Sequence, residues 1–457
     1  MNVPIQAMRS SNIDVLLNKT LLYSVFLFFN FMVTYRVLLI SVIPAAELIS
    51  EAVYILVIGV YLVYRIIMRV LAGNLSFNSL EIYLIVLFFL PLWAANGARM
   101  EFGQPIFYGL ATFRDFYLIY GGLIVYNMLR SNQIDIHLVE RMFVLTAWFC
   151  ILMFYFMTLF TDPKQYLEYG LAGSNSAKGG DVYYRFNMAF VFFGSIYYFA
   201  KAFFEKKFHY VIYALIFLCY VVFLRFDRTS IAVLVAGIGL FYVTALTPRR
   251  QLFWILGLIP VVFLGLITLT IFIPELIDQY YLMFADAFAT VGGSFNAEGE
   301  ESVRLLELEK ALKYIDKNPF VGNGKVSQQW VEGGYNHFMG FFYASDVGIF
   351  GQIFMYGFIG AFVLYFQFFL ALNYALKIKH IKRNSFLVTL KFFLLALGLD
   401  TISNGFLTIY AAQSVTALIL IYHFYERDKL IDYKLRIDKM KSVFANKPQI
   451  DHGTRGS

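Results

Sequence analysis

Residues 300–360 read EESVRLLELEKALKYIDKNPFVGNGKVSQQWVEGGYNHFMGFFYASDVGIFGQIFMYGFIG, a polar stretch that passes without a break into an apolar one punctuated by glycine. The junction decides the architecture, because it is the longest run in which Arg304, Lys325, His337 and Asp346 can meet in water before the chain returns to lipid. Its first half contains an amphipathic helix, VRLLELEKALKYI, with apolar positions at helical spacing. Asn318-Pro319 ends that helix, since the residue before proline resists the α region, and PFVGNG follows as a turn. Beyond it, Asn336, His337, Ser345 and Asp346 meet the glycine series Gly340, Gly348, Gly351, Gly357 and Gly360. Small residues at such positions permit close approach of a helix or a ligand. The segment reads as the roof and one wall of an active site at a membrane surface.

The rest of the chain supplies the membrane. Hydrophobic residues make up 60% of 457 positions and charged residues 15%, against about 25% charged in a soluble globular chain. This is an all-α polytopic membrane protein by composition, and 51 Phe and 33 Tyr suit a large lipid-facing area with interfacial tyrosines. A hydrocarbon core needs roughly 20 apolar residues per helix. On that ruler twelve spans are expected, near 20–43, 52–68, 80–97, 106–127, 142–160, 183–203, 209–224, 229–246, 252–273, 346–373, 385–402 and 404–425. The last two form a tight hairpin around Ser403-Asn404-Gly405. Cys150 and Cys219 lie inside apolar runs and read as small hydrophobes, with no disulfide framework and no zinc spacing.

Basic residues set the orientation. With the N-terminus inside, the cytoplasmic segments carry Arg65 and Arg69, Arg130 and Arg141, Lys201, Lys206 and Lys207, Arg249 and Arg250, and Lys377, Lys379, Lys382 and Arg383. Every short inside loop is then basic, which places both termini in the cytoplasm. The organisation expected is one transmembrane domain, 1–426, that includes an extracytoplasmic loop at 274–335, followed by a basic cytoplasmic tail, 427–457. The net charge of +7 records this orientation rather than nucleic-acid binding. A second outside loop, 161–182, is Gly/Ser-rich and reads as irregular.

Ionisable residues inside or at the rim of a membrane mark function or a satisfied internal pair. Arg225-Phe226-Asp227-Arg228, ahead of Thr229 and Ser230, reads either as a helix hairpin with Asp227 as N-cap or as an anion site made by two guanidiniums beside a helix N-terminus. Arg114-Asp115 lies within the fourth span, where it reads as an internal salt bridge or as an arginine reaching a lipid-linked headgroup from below. Arg304 sits among Glu300, Glu301, Glu307 and Glu309, a pattern of a solvated charged face. His337 stands nine residues before Asp346, at the head of the tenth span.

The pattern RxxxxxxALKYIDKNPFVGNGK followed by HxxxxxxxxDxGxxG resembles the superfamily of O-antigen ligases and O-antigen or exopolysaccharide polymerases. The likeness is specific over residues 304–351, weaker over 225–239, and elsewhere rests on hydropathy and topology. It implies a GT-C-like membrane glycosyltransferase of the bacterial inner membrane, with its active site facing the periplasm and undecaprenyl-diphosphate-linked oligosaccharide as substrate. Membrane lipids, and a chain-length regulator protein, are the other partners it implies. By resemblance, His337 is the active-site histidine, with Asp346 as a rival base, and Arg304 and Arg228 neutralise phosphate. Arg225, Arg114 and Lys325 are further candidates for the diphosphate. No cofactor is expected, and no carboxylate cluster suits Mg²⁺. Phe338 follows the histidine where many members have Asn, and Asp346 stands where many have Glu, which leans the resemblance towards a polymerase. A ligase that transfers polymer to lipid A-core shares the donor chemistry. A twelve-span transporter or flippase would instead place symmetric halves around charged sites at the bilayer midplane.

Overall fold

The computed structural model describes residues 5–34, 44–73, 76–166, 172–175, 181–184, 186–225, 228–245, 300–327, 329–330, 339–340, 342–344, 346–404 and 411–445. Among the described residues the regular structure is helical apart from one short antiparallel hairpin. In order the helices are α1 (Ile5–Thr34), α2 (Pro44–Leu71), α3 (Ser79–Phe102), α4 (Ile106–Thr112), α5 (Tyr120–Arg130), α6 (Ile136–Phe160), α7 (Ala189–Glu205), α8 (Phe208–Cys219), α9 (Arg228–Ala245), α10 (Glu300–Lys317), α11 (Gly348–Lys377), α12 (Ser385–Asn404) and α13 (Ala411–Ala445). Five stretches, 49–71, 79–102, 136–160, 348–377 and 385–402, are long and apolar enough to cross a membrane, and 19–34, 208–224 and 230–242 are shorter apolar helices. This is a multi-pass membrane protein.

Several expected spans take a different form. The fourth is not one helix: after α4 the chain runs through a 3-10 turn at Arg114–Ile119 before α5 begins. An arginine and an aspartate in mid-span are the cause, since their charges demand partners that a straight helix in lipid does not offer. The sixth starts late, because Asp181–Tyr184 pairs antiparallel with Ala172–Asn175 and α7 begins only at Ala189. The 161–182 loop is therefore a β-hairpin in part and not irregular throughout, within a nearly all-helical fold. The last helix continues unbroken from the apolar Ala411 segment into the basic stretch, reaching Ala445. The ninth span, 252–273, and the 403–405 hairpin beyond Asn404 lie outside the described residues.

Without a hydrophobic drive between helices in lipid, association depends on close packing and small residues. A β-carbon on Gly194 of α7 would strike the Phe217 ring of α8, and one on Gly122 of α5 would meet Thr416 of α13. The first half of α13 is buried almost completely, including Ala417 through Ile421 at 0% exposure. Helices α11 and α12 flank it. By contrast α2 faces outward along most of its apolar length.

The two ends of the bundle are tied differently. At the basic end Asp428 of α13 accepts hydrogen bonds from the amides of Lys379 (2.8 Å), His380 (2.7 Å) and Ile381 (3.1 Å) in the α11–α12 turn. Burial pushes its carboxyl up, but these amides outweigh that and hold it below the ordinary value. Of the residues that the sequence singles out for chemistry, Arg304 is on α10 and Asp346 stands at the start of α11.

Candidate active site at the break in a helix

Helix α11 is interrupted at Gly357, whose φ of 66° and ψ of 178° leave the helical region. A break of this kind frees carbonyls one turn earlier, and in a membrane each must find a donor. The NPFVGNG turn supplies the donors. Asn323 N donates to Phe354 O at 2.7 Å and Gly324 N to Met355 O at 3.0 Å, while Phe358 N donates back to Pro319 O at 2.8 Å. The turn thus lies in the break as a short strand would, between α11 and α3. Trp93 of α3 closes the other side by donating its indole N–H to Val321 O at 2.8 Å.

Glycine is required here for space as well as for backbone angle. Gly322 and Gly324 have φ of 79° and 74°, a region that costs other L-residues about 1–2 kcal/mol. A β-carbon on Gly322 would collide with the backbone at Tyr356 and Gly357, one on Gly324 with Ala94 O of α3, and one on Gly357 with Phe320 O. Asn323, fully buried, uses its side-chain amide to reach Tyr314 O at 3.1 Å and accepts from Asn318 at 2.9 Å. Asn318 also donates to Glu101 at 3.0 Å, and Lys317 pairs with the same carboxylate at 3.3 Å. Each polar residue of the motif therefore has an assigned structural partner.

The turn continues into Lys325, held by Gln104, which is 0% exposed. Its amide donates to Lys325 O at 3.3 Å, and its carbonyl accepts from Ser327 N at 2.6 Å. That clasp sets the Lys325 ammonium over the Phe113 ring, 5.7 Å from its centre. Phe113 is the residue before Arg114, and its ring packs 5.7 Å from that of Tyr356 at the helix break. Arg114 pairs with Glu51 of α2 at 3.1 Å, the carboxylate being 2% exposed and the arginine 37%. The internal salt bridge expected of Arg114 is present, and its partner is Glu51 of another helix. Of the two candidate cations, Lys325 lies over the Phe113 ring, and Arg114, next in sequence to that phenylalanine, turns to Glu51. The Tyr356 hydroxyl is buried with no hydrogen-bond partner among the described residues.

Helix α10 reaches the segment that leads into α11. Glu307 is not part of a solvated face, as its spacing suggests, but is 2% exposed and accepts the amide of Tyr343 at 3.0 Å. Lys310 donates to Met339 O at 2.6 Å, and burial lowers its ammonium from the ordinary value. These two residues pin positions 339 and 343, between His337 and Asp346, to α10. Asp346 heads α11 and donates its amide to Tyr343 O at 2.9 Å. Neither Glu307 nor Lys310 stands out in the sequence, where they look like any charged pair three residues apart on a helix.

Arg304 lies in the first turns of α10, Arg225 ends the π-helical stretch Tyr220–Arg225, and Arg228 opens α9. Their side chains, with Asp227 and His337 entire, lie outside the described residues. The backbone path still places Arg225 and Arg228 at the bundle end where α11 starts, because α8 leaves the basic end at Phe208 and α9 returns to it.

These features define a helical membrane protein whose polar site is built where a re-entrant turn repairs a broken span. Residues 213–366, from within α8 to beyond the break in α11, match a family model described as O-antigen ligase. Over that segment the match supports the resemblance to O-antigen ligases and polymerases, and it does not distinguish the two activities. It includes Arg225, Arg228, Arg304, the NPFVGNG turn, His337 and Asp346, and leaves Arg114 outside. No curated protein matches the chain.

Proposed function

We propose that the protein is a polysaccharide polymerase that transfers a glycan from undecaprenyl diphosphate to a sugar hydroxyl of another lipid-linked repeat unit, at the periplasmic face of the inner membrane. The observation that supports this reading is the NPFVGNG turn seated in the Gly357 break, which sets Lys325 over Phe113, the residue before Arg114. In the reaction the acceptor oxygen attacks the anomeric carbon. The bond to the diphosphate breaks, its electron pair leaves with the diphosphate, and the acceptor proton passes to a base.

Each requirement has a residue suited to it. Arg304 and Arg228 take the developing charge on the leaving group, since guanidinium stays ionised and binds phosphate oxygens in bidentate fashion. Lys325, Arg225 and Arg114 extend that positive field. His337 takes the proton, its ordinary pKa lying near ambient pH, with Asp346 as the alternative base. Glu307 and Lys310 position the segment between these two. The reading as polymerase rather than ligase rests on Phe338 and Asp346 at positions where many family members have Asn and Glu.

The test is His337→Ala in a strain deleted for the protein. The variant inserts and folds, and cells carry single repeat units only. Wild-type chain-length ladders from that variant would rule out the histidine as the base, and long polymer left on its carrier in the deletion strain would identify a ligase.

A further inference from the structure

A cavity of about 1710 Å³ opens at the basic end of the bundle, away from the Gly357 break, between α7, α9, α11 and α12. Its walls are apolar, with Phe203, Phe241, Phe368 and Leu395 among them. Its rim carries Lys206, Lys207, Lys382 and Arg383, and Lys391 reaches in from α12 to donate to Ala375 O at 3.4 Å. Two carboxylates at this end are already engaged. Glu205 pairs with Lys207 at 3.4 Å and Lys201 at 3.7 Å, and Asp428 holds three backbone amides. Lys206, Lys382 and Arg383 make no ion pair among the described residues.

We infer that this cavity is a binding site for an anionic phospholipid of the cytoplasmic leaflet, with the acyl chains between the aromatic walls and the headgroup phosphate among Lys206, Lys382 and Arg383. The combination of a deep apolar slot with a cationic rim matches one ligand chemistry, a phosphate on a long hydrocarbon. Basic residues at the cytoplasmic face attract anionic lipid headgroups electrostatically. Other occupants fit the charge less well. The apolar stretch at 251–273 has no Asp or Glu, and Arg249 and Arg250 before it add to the positive charge. A second copy meeting this face across a two-fold axis would set one basic rim against another.

Native mass spectrometry of the detergent-purified protein, titrated with phosphatidylglycerol or with phosphatidylcholine of the same acyl chains, tests the site. Wild type retains phosphatidylglycerol adducts at least tenfold more than phosphatidylcholine, and the triple variant Lys206→Gln, Lys382→Gln, Arg383→Gln loses that preference. Ala375→Trp, which narrows the apolar slot with the charges intact, also loses the adducts, so the proposal stays testable if the triple variant fails to fold. Equal retention of the two lipids, wild-type adducts on both variants, or stabilisation by glycerol phosphate equal to that by the whole lipid would each overturn it.

Discussion

The backbone amide of Asn323 donates to the carbonyl of Phe354 at 2.7 Å, joining the re-entrant turn to the broken span. That carbonyl is available because Gly357 takes its successor helix out of line. A turn motif and a glycine more than thirty residues away are thus two halves of one device. Asn323→Ala keeps the backbone bond and removes the side-chain bonds to Tyr314 and Asn318. It should lower stability by about 2 kcal/mol, read as a drop in Tm in detergent, with polymer formation reduced in proportion.

Gly357→Ala tests the same device from the other side. Its β-carbon meets Phe320 O and its φ is unfavourable for alanine, so the cost is at least about 2 kcal/mol. The turn should be expelled, and cleavage near residues 320–325 in limited proteolysis should rise sharply. Gly239, in α9, has nothing within 4 Å of an added β-carbon; Gly239→Ala should leave both readouts unchanged.

Arg114 and Glu51 allow packing to be separated from chemistry. Arg114→Met removes the cation 3.1 Å from a carboxylate that is 2% exposed, and should cost about 3 kcal/mol. The double variant Arg114→Met, Glu51→Leu should recover most of that stability. Activity should stay low in the recovered protein if Arg114 contributes to the diphosphate field; full activity would assign it to structure alone.

Glu307 and Lys310 should behave as positioning residues. Glu307→Gln retains an acceptor for Tyr343 N and should keep more than half of wild-type kcat, whereas Glu307→Ala should lose about 2 kcal/mol of stability and most of kcat with little change in KM for the lipid-linked donor. A rise in KM alone, measured on purified protein, would place Glu307 in donor binding instead.

Asp428 gives a pH dependence. Its folded carboxyl lies below the ordinary value of 3.8, so the stability it contributes is complete above that value and is lost as pH falls through the lower folded one. Asp428→Asn should reduce Tm at neutral pH, and the gap to wild type should shrink as the pH is taken below 3.8. A gap constant down to the most acid point would mean that the three amides do not depend on the charge.

Hydropathy made the membrane class and most helices legible, because a run of apolar residues of spanning length has few other uses. It could not show where spans break. The fourth breaks at Arg114, whose partner Glu51 is on another helix, and α11 breaks at Gly357, one glycine in a series of five that look alike. The NPFVGNG turn was legible as a turn, and the resemblance gave it a family. Its partners were not, since Gln104, Glu101 and Phe354 are remote in sequence and carry no local signature. Glu307 was misread because a helical charge pattern does not reveal which face is covered. The β-hairpin near Tyr184 escaped because its strands are four residues each and the first, Ala-Gly-Ser-Asn, is made of small residues that read as a loop.

The most direct measurement gives purified protein an undecaprenyl-diphosphate-linked single repeat unit in detergent, with no ion gradient, and follows carrier-linked products by mass. The account predicts species of two and more repeats together with released undecaprenyl diphosphate, and neither with His337→Ala. Substrate left at one repeat by a protein that instead transfers glycan to added lipid A-core would contradict it.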